Sequence, residues 1–240
     1  MANNQKRLVI ISGAGLSAES GIQTFRDDNG LWANHNVDQI CNINTWKKNF
    51  KLVHNFYNAR RKELKNKTPN AMHYQIYEWQ KQLKQNCIII TQNIDDLLEK
   101  AGCENVIHLH GFANKIYCFD CKYKYEDLQY KPYNFKPCIK CNSKWIKPDI
   151  VFFGEAAPKY SILYSVVSSL NNNDMLLVIG TSGAVINING LASLNNALKI
   201  LNNLHQEIYI DATLFDYVFY EKATTAASKI DEIIKKWQNR

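Results

Sequence analysis

Four cysteines stand as two short pairs, Cys118-x2-Cys121 and Cys138-x2-Cys141, with sixteen residues between them. Thiolates at this spacing suit one tetrahedral zinc in a closed structural site, with no open position for chemistry. A redox CxxC is the alternative, and two matched pairs argue against it. Lys and Tyr alternate through the segment between the pairs, a pattern that also permits nucleic-acid contact, although nucleic acid is not the expected partner. Seven cysteines, an odd number, in a chain that opens MANNQKR without an apolar leader argue against a disulfide framework. Cys41, Cys87 and Cys103 are then expected as buried small apolar residues.

A proton acceptor is the second chemical element. His108 and His110 sit two residues apart at the end of an apolar run, and an imidazole titrating near about 6.5 suits proton transfer at neutral pH. Strand alternation places both on one face, so spacing leaves the choice open. His35, His54, His73 and His205 have no such context.

Gly13-Ala14-Gly15 follows the run LVIIS, where glycines allow a backbone to approach a pyrophosphate facing helix N-terminal amides. Gly180-Thr181-Ser182 repeats the strand-to-glycine switch. Asp211, at the end of a strand predicted over Glu207–Ile210, is a candidate for ribose hydroxyls, with a turn or cap role as the alternative. Tyr57-x2-Arg60 shares one helix face at i, i+3 and could grip a carboxylate; a surface arginine beside a packed tyrosine is the alternative.

In order, GAGLSAESGIQTFR (13–26), TQNID (91–95), LHG (109–111), the cysteine pairs, KPDIVFFGE (147–155) and GTS (180–182) resemble the sirtuins, NAD-dependent protein lysine deacylases. The resemblance runs over about residues 8–237. It implies one structural zinc on Cys118, Cys121, Cys138 and Cys141, and NAD held by Gly13, Ala14, Gly15, Ser17, Phe25 and Arg26. Gln92, Asn93, Ile94 and Asp95 would line the nicotinamide pocket, and Gly180, Thr181 and Ser182 the adenosine side. Asp211 stands in for an asparagine common in the family, and Ala226 for a late alanine beside adenine. His110 is implied as the general base, with Asn93 in the same catalytic group. Val151, Phe153, Gly154 and Glu155 match the segment that pairs with substrate backbone. Tyr57 and Arg60 match the class III branch, which removes succinyl, malonyl and glutaryl groups and, in some bacterial members, acetyl. Cys41 stands where that branch has a small alanine. Two departures bear on NAD affinity: Asp96 replaces a usual glycine, and residues 183–211 are longer and rich in asparagine.

The implied reaction releases nicotinamide, transfers the acyl group and gives free lysine and O-acyl-ADP-ribose, with His110 taking a proton from a ribose hydroxyl. A mono-ADP-ribosyltransferase using the same NAD site, and a non-catalytic binder, are the rivals. Acylated-lysine proteins are the expected partners, with a monomeric, cytoplasmic enzyme and no membrane segment.

The elements that must position these groups are read from periodicity. Strands are predicted over Leu8–Ser12, Cys87–Thr91, Val106–Leu109, Ile150–Phe153, Met175–Gly180 and Glu207–Ile210. Helices are predicted over Asp95–Ala101, Tyr160–Leu170, Leu191–Leu204 and Lys222–Trp237. Asp38–Gln85 reads as helical, divided at Pro69 with Thr68 or Asn70 as the next cap. The alternation implies an α/β fold, a doubly wound, Rossmann-like parallel sheet. Residues 1–37, 86–116 and 146–240 would form it. A smaller inserted part would comprise a helical segment, 38–85, and a four-cysteine zinc ribbon, 117–145, too poor in aliphatics to build its own core.

The composition agrees. Of 240 residues, 46% are hydrophobic, which suits a folded core, and no apolar run approaches the roughly 20 residues of a membrane span. The net charge of +7 comes from scattered lysines and reads as solvated surface.

Overall fold

The protein is described as a computed structural model covering residues 6–24 and 36–239. Its centre is a parallel sheet. Strand β1 (Leu8–Ser12) lies between β2 (Cys87–Thr91) and β6 (Met175–Ile179), with all five β1 residues buried. Strand β3 (Ile107–His108) pairs outside β2, and β7 (Leu198–Asn203) and β8 (Tyr217–Tyr220) extend the other side, giving the order β3-β2-β1-β6-β7-β8.

Burial on both faces explains the unbroken apolar runs. Leu8 and Ile10 point to one face, Val9 and Ile11 to the other. On the first face lie α4 (Ala71–Leu83), through Met72, Ile76 and Trp79, and α8 (Ala223–Gln238), through Ala226, Ile230 and Trp237. On the second lie α6 (Tyr160–Ser168), through Leu163 and Val167, and α7 (Ile188–Ser193), through Leu191. Truncating one such leucine or isoleucine to alanine costs about 2–5 kcal/mol.

Near the carboxyl edge of the sheet sits a second layer. Short α1 (Gly15–Ala18) follows β1, and α2 (Val37–Ile40) and α3 (Phe50–Lys65) follow later. Helices α2 and α3 pack around Trp46, Ile150 and Phe152. Helix α5 (Leu97–Ala101) ends at Gly102, whose left-handed φ of 109° suits a residue without Cβ. An antiparallel pair, β4 (Gly111–Cys118) with β5 (Ile146–Ile150), carries the cysteine segment.

The helical stretch therefore divides. Its second half, α4, covers the parallel sheet, and only α2 and α3 join the smaller layer. Asn70, not Thr68, caps α4: its side chain accepts from the Met72 and His73 amides, while His73 Nδ1 accepts from the Asn70 amide.

Three predicted elements differ. The helix expected over Leu191–Leu204 stops at Ser193. Asn195 turns the chain by bonding the Leu191 carbonyl and the Ala197 amide, and the next six residues become β7, pairing with β6. A leucine-rich run serves either state, and the open edge of β6 decided it. Glu207–Ile210 is not a strand. Ile208 is 89% exposed, and the chain turns there toward a short 3-10 helix, Ala212–Leu214, before β8. The strand expected over Ile150–Phe153 starts earlier, as β5, and belongs to the antiparallel pair. Among the described residues no helix is long and apolar enough to cross a membrane.

Candidate active site

Strands β1, β2, β6 and β7 end side by side, and the residues after them open into a cavity of about 1110 Å³. Ligands bind at this edge in open α/β sheets. Gly13–Gly15, Gln92–Ile94, Gly180–Ser182 and Asn202–His205 line one side. His110, Tyr160, Val151 and Phe153–Glu155 line another, and Cys41, Tyr57 and Arg60 a third.

The glycines are required by close approach. A Cβ on Gly15 would lie 2.7 Å from Gly180 Cα, and one on Gly13 would lie 2.6 Å from the Gly180 oxygen. Gly180 itself has φ of 62°. Two loops from non-adjacent stretches of sequence can thus interlock under the cavity. The expected anion site at the start of α1 is modified, because the Gly15, Leu16 and Ser17 amides already bond to the Gly180, Gly13 and Ala14 carbonyls.

Behind this floor is a buried polar network. Asn93 Nδ2 donates to the Gly13 carbonyl at 3.1 Å and to Ser17 Oγ at 3.1 Å, and Ser17 Oγ donates to Asp95 Oδ2 at 3.0 Å. Asp95 Oδ1 also accepts from the Leu97 amide. Burial raises the Asp95 pKa, partly opposed by the Leu97 and Ser17 bonds. Ser17 and Asp95 therefore support the cavity from behind, while Asn93 reaches its surface.

The two histidines separate cleanly. His108 is used up structurally: Nδ1 meets the Asn93 carbonyl at 2.8 Å and Nε2 meets Glu99 at 2.7 Å. His110 faces the cavity. Its Nδ1 lies 3.1 Å from the Gln92 carbonyl, which can only accept, so Nδ1 carries the proton. Nε2 is left with a lone pair, 2.8 Å from the Tyr160 hydroxyl. Burial lowers the His110 pKa, opposed by the Gln92 carbonyl, so the ring is neutral and basic at neutral pH.

On the third side, the Tyr57 hydroxyl points to Cys41 Sγ at 3.6 Å and its ring stacks on Phe152. Arg60 lies beside it, paired at 2.6 Å with Glu63. Beneath the 151–155 segment, Lys147 is fully buried and bonds Glu155 Oε2 at 2.8 Å, with Phe152 under its ammonium. Glu155 also accepts from the Phe152 amide, so it braces its own loop. Phe153 is half exposed, and its amide and carbonyl bond Cys41 and Ile43, so that edge of the segment is already paired.

The four cysteine sulfurs lie within 4.8 Å of one another, with Cys118–Cys141 and Cys121–Cys138 at 3.6 Å. Tetrahedral zinc with Zn–S of about 2.3 Å sets its sulfurs about 3.8 Å apart, so the set fits. Each pair is followed by a residue in left-handed conformation, Lys122 and Asn142, which curls the chain back around the sulfurs. Cys41, Cys87 and Cys103 are buried thiols.

Two expected nucleotide residues lie elsewhere. Asp211 is exposed and caps the 3-10 turn, accepting from the Thr213 amide at 3.0 Å and the Thr213 hydroxyl at 2.6 Å. The turn role, left open by the sequence, is the one it plays. Ala226 is fully buried between α8 and the sheet, and Ala223 reaches the cavity instead. Phe25 and Arg26 lie outside the described residues. Asn202, Asn203, Leu204 and His205, at and after the end of β7, and Glu221 and Lys222, after β8, also line the cavity; the first two were hidden in the run LKILNN, read from sequence as helix.

Comparison with known proteins agrees with this geometry. Residues 13–187 match the model of the Sir2 family. A protein of Helicobacter hepaticus named NAD-dependent protein deacylase is 42% identical, covering 96% of this chain and 98% of its own length. One of the same name from Campylobacter jejuni is 41% identical over 94% of each. Among solved structures, a mutant Sir2 homologue with ADP-ribose superposes with a TM-score of 0.86 at 30% identity, covering 98% of this chain and 94% of that one. A Sir2 homologue–NAD complex gives 0.82 at 32% identity, covering 96% and 90%.

Proposed function

The chain belongs to the Sir2 family of NAD-dependent protein deacylases, and we propose that it deacylates protein lysine side chains, removing succinyl- and malonyl-type groups as well as acetyl. The observation that carries the reading is a single cavity shared by a glycine-lined sheet edge, a neutral imidazole and the Tyr57–Arg60 pair. When bound, NAD supplies the electrophilic sugar carbon that an acyl oxygen can attack. The chain's own groups hold and orient. The 13–15 and 180–182 loops seat the dinucleotide, and Asn93 and Gln92 face the end near His110. His110 Nε2 would accept a proton from a ribose hydroxyl of the bound dinucleotide; from acyl-lysine, NAD and water, the products would be free lysine, nicotinamide and O-acyl-ADP-ribose. Holding both partners in register is worth several kcal/mol of barrier in such reactions, about 7–11 at best.

Arg60 is the group that would select an acidic acyl chain. Its guanidinium presents more donors than Glu63 uses, so a carboxylate can join it beside the Tyr57 hydroxyl. One zinc on Cys118, Cys121, Cys138 and Cys141 would hold the cysteine segment and supply no chemistry. Acylated proteins are the partners, acted on by a monomer in the cytoplasm.

The test is NAD-dependent lysine release from matched acetyl and succinyl peptides, with Arg60→Met alongside. Efficient succinyl removal that falls selectively in the variant supports the assignment. Acetyl turnover indifferent to Arg60 rejects the acidic preference. A heavier protein product in place of free lysine would point to ADP-ribosyl transfer.

A further inference from the structure

We propose that Tyr160 is a positioning residue for His110, its hydroxyl serving as the partner of Nε2 both before and after that nitrogen takes a proton. The inference rests on His110 being the general base. Nδ1 is committed to the Gln92 carbonyl, so Nε2 is the only nitrogen that can accept. The Tyr160 oxygen lies 2.8 Å from it, and the two rings meet at 46° with centroids 5.9 Å apart. Tyr160 opens α6, with its amide on the Ala157 carbonyl, and its side chain forms part of the cavity wall. Further along α6, Leu163 and Val167 are buried against the sheet, so Tyr160 is where this helix meets the reacting group.

A phenol can donate and accept. Against the neutral ring, its O–H donates to the Nε2 lone pair. A substrate hydroxyl that arrives displaces the Tyr160 O–H from this single lone pair; its own O–H bond breaks with the electron pair left on oxygen, an N–H bond forms at Nε2, and the ring becomes a cation with both nitrogens protonated. Nδ1–H stays on Gln92, and the new Nε2–H needs an acceptor on the side where the ring faces the cavity. The Tyr160 hydroxyl turns and supplies its lone pair. A bond to the cation is stronger than one to the neutral ring, so the hydroxyl favours the protonated form and offsets part of the effect of burial. Among charged groups lining the cavity, Glu155 is paired with Lys147 and Arg60 with Glu63, while Lys159, the residue before Tyr160, interacts with Asp149, Lys115 and Lys124. Burial raises the Tyr160 pKa, and Tyr164, one turn along α6, adds to the rise.

The experiment follows the His110 ring by NMR titration in the NAD-free protein, and kcat/KM against pH with an acyl peptide, in wild type, Tyr160→Phe, Tyr160→Leu and His110→Ala. Both Tyr160 variants should lower the His110 pKa by about half to one unit, the worth of one hydrogen bond, and move the acid limb of the profile with it. Maximal kcat should fall several-fold. An unchanged or raised pKa in Tyr160→Phe overturns the proposal, as does a shift confined to Tyr160→Leu, which would assign the effect to ring packing. Full turnover by His110→Ala would instead reject the general base, and that result reads separately from either Tyr160 variant.

Discussion

Asn203 and Thr181 exchange two hydrogen bonds: the Thr181 amide donates to Asn203 Oδ1 at 3.0 Å, and Asn203 Nδ2 donates to the Thr181 carbonyl at 2.9 Å. The last residue of β7 thereby fixes the loop after β6, and Gln92 Nε2 reaches Thr181 Oγ1 from the β2 side. Three strand ends are clamped at one threonine.

Asn203→Ala should therefore weaken NAD use specifically. Two bonds of about 1 kcal/mol each predict a rise of tenfold or more in the KM for NAD, with a smaller change in the KM for peptide. Asp211→Ala, which loses only a turn cap, should leave both unchanged. Steady-state kinetics on the two variants decides it, and equal effects would contradict the clamp.

Lys147→Met should destabilise the fold by about 3–5 kcal/mol, because it strands the Glu155 carboxylate in a partly buried site. Adding Glu155→Gln should recover part of the loss. Denaturant midpoints of the single and double variants test this; a double variant no better than the single would show that the pair is not the source.

Two further histidines make stability depend on acid. His54 and His73 are buried, and burial lowers each pKa to about 4. His54 Nε2 lies 2.8 Å from the Ile146 carbonyl while its Nδ1 has no partner, and His73 Nε2 likewise has none. Their folded pKa values lie below the unfolded value of about 6.5, so the unfolded chain binds more protons between those limits. Stability should be full above pH 6.5 and fall as pH drops toward 4, by up to about 3 kcal/mol per site. Urea unfolding at pH 7 and pH 5 measures it, and a flat profile would refute the assignment.

Zinc removal should act at a distance. The loop between the cysteine pairs docks Tyr133 on Asn58 of α3, and Tyr130 bonds Asp96 at the start of α5. A strong chelator should lower Tm, and deacylation should be lost with the metal and return with zinc but not magnesium. Metal analysis should find one zinc per chain. Full activity in metal-free protein would separate the cysteine segment from the site. Asp96, a departure from the family pattern, is here the anchor of that contact.

Much of this was legible in the chain. Buried strands β1 and β2 carry their bounds in continuous β-branched runs, because a strand covered on both faces has no polar alternation to blur them. The cysteine pairs are local, and so is their chemistry. A cap beside Pro69 was legible, though the choice of Asn70 over Thr68 came from the structure. Tyr57 and Arg60 reach the same cavity because helical spacing alone puts them on one face.

Only tertiary structure decided the rest. LKILNN became a strand because β6 had an open edge, and that placed Asn203 rather than Asp211 at the cavity. His108 and His110 are equivalent by spacing; Glu99 and the Asn93 carbonyl claim one, and the cavity the other. Tyr160 shows no motif at all, since its role depends on a ring fifty positions earlier. Local periodicity and ligand spacing are properties of a few neighbouring residues. Which of two like side chains meets a given atom depends on packing between distant segments, and sequence order does not encode that distance.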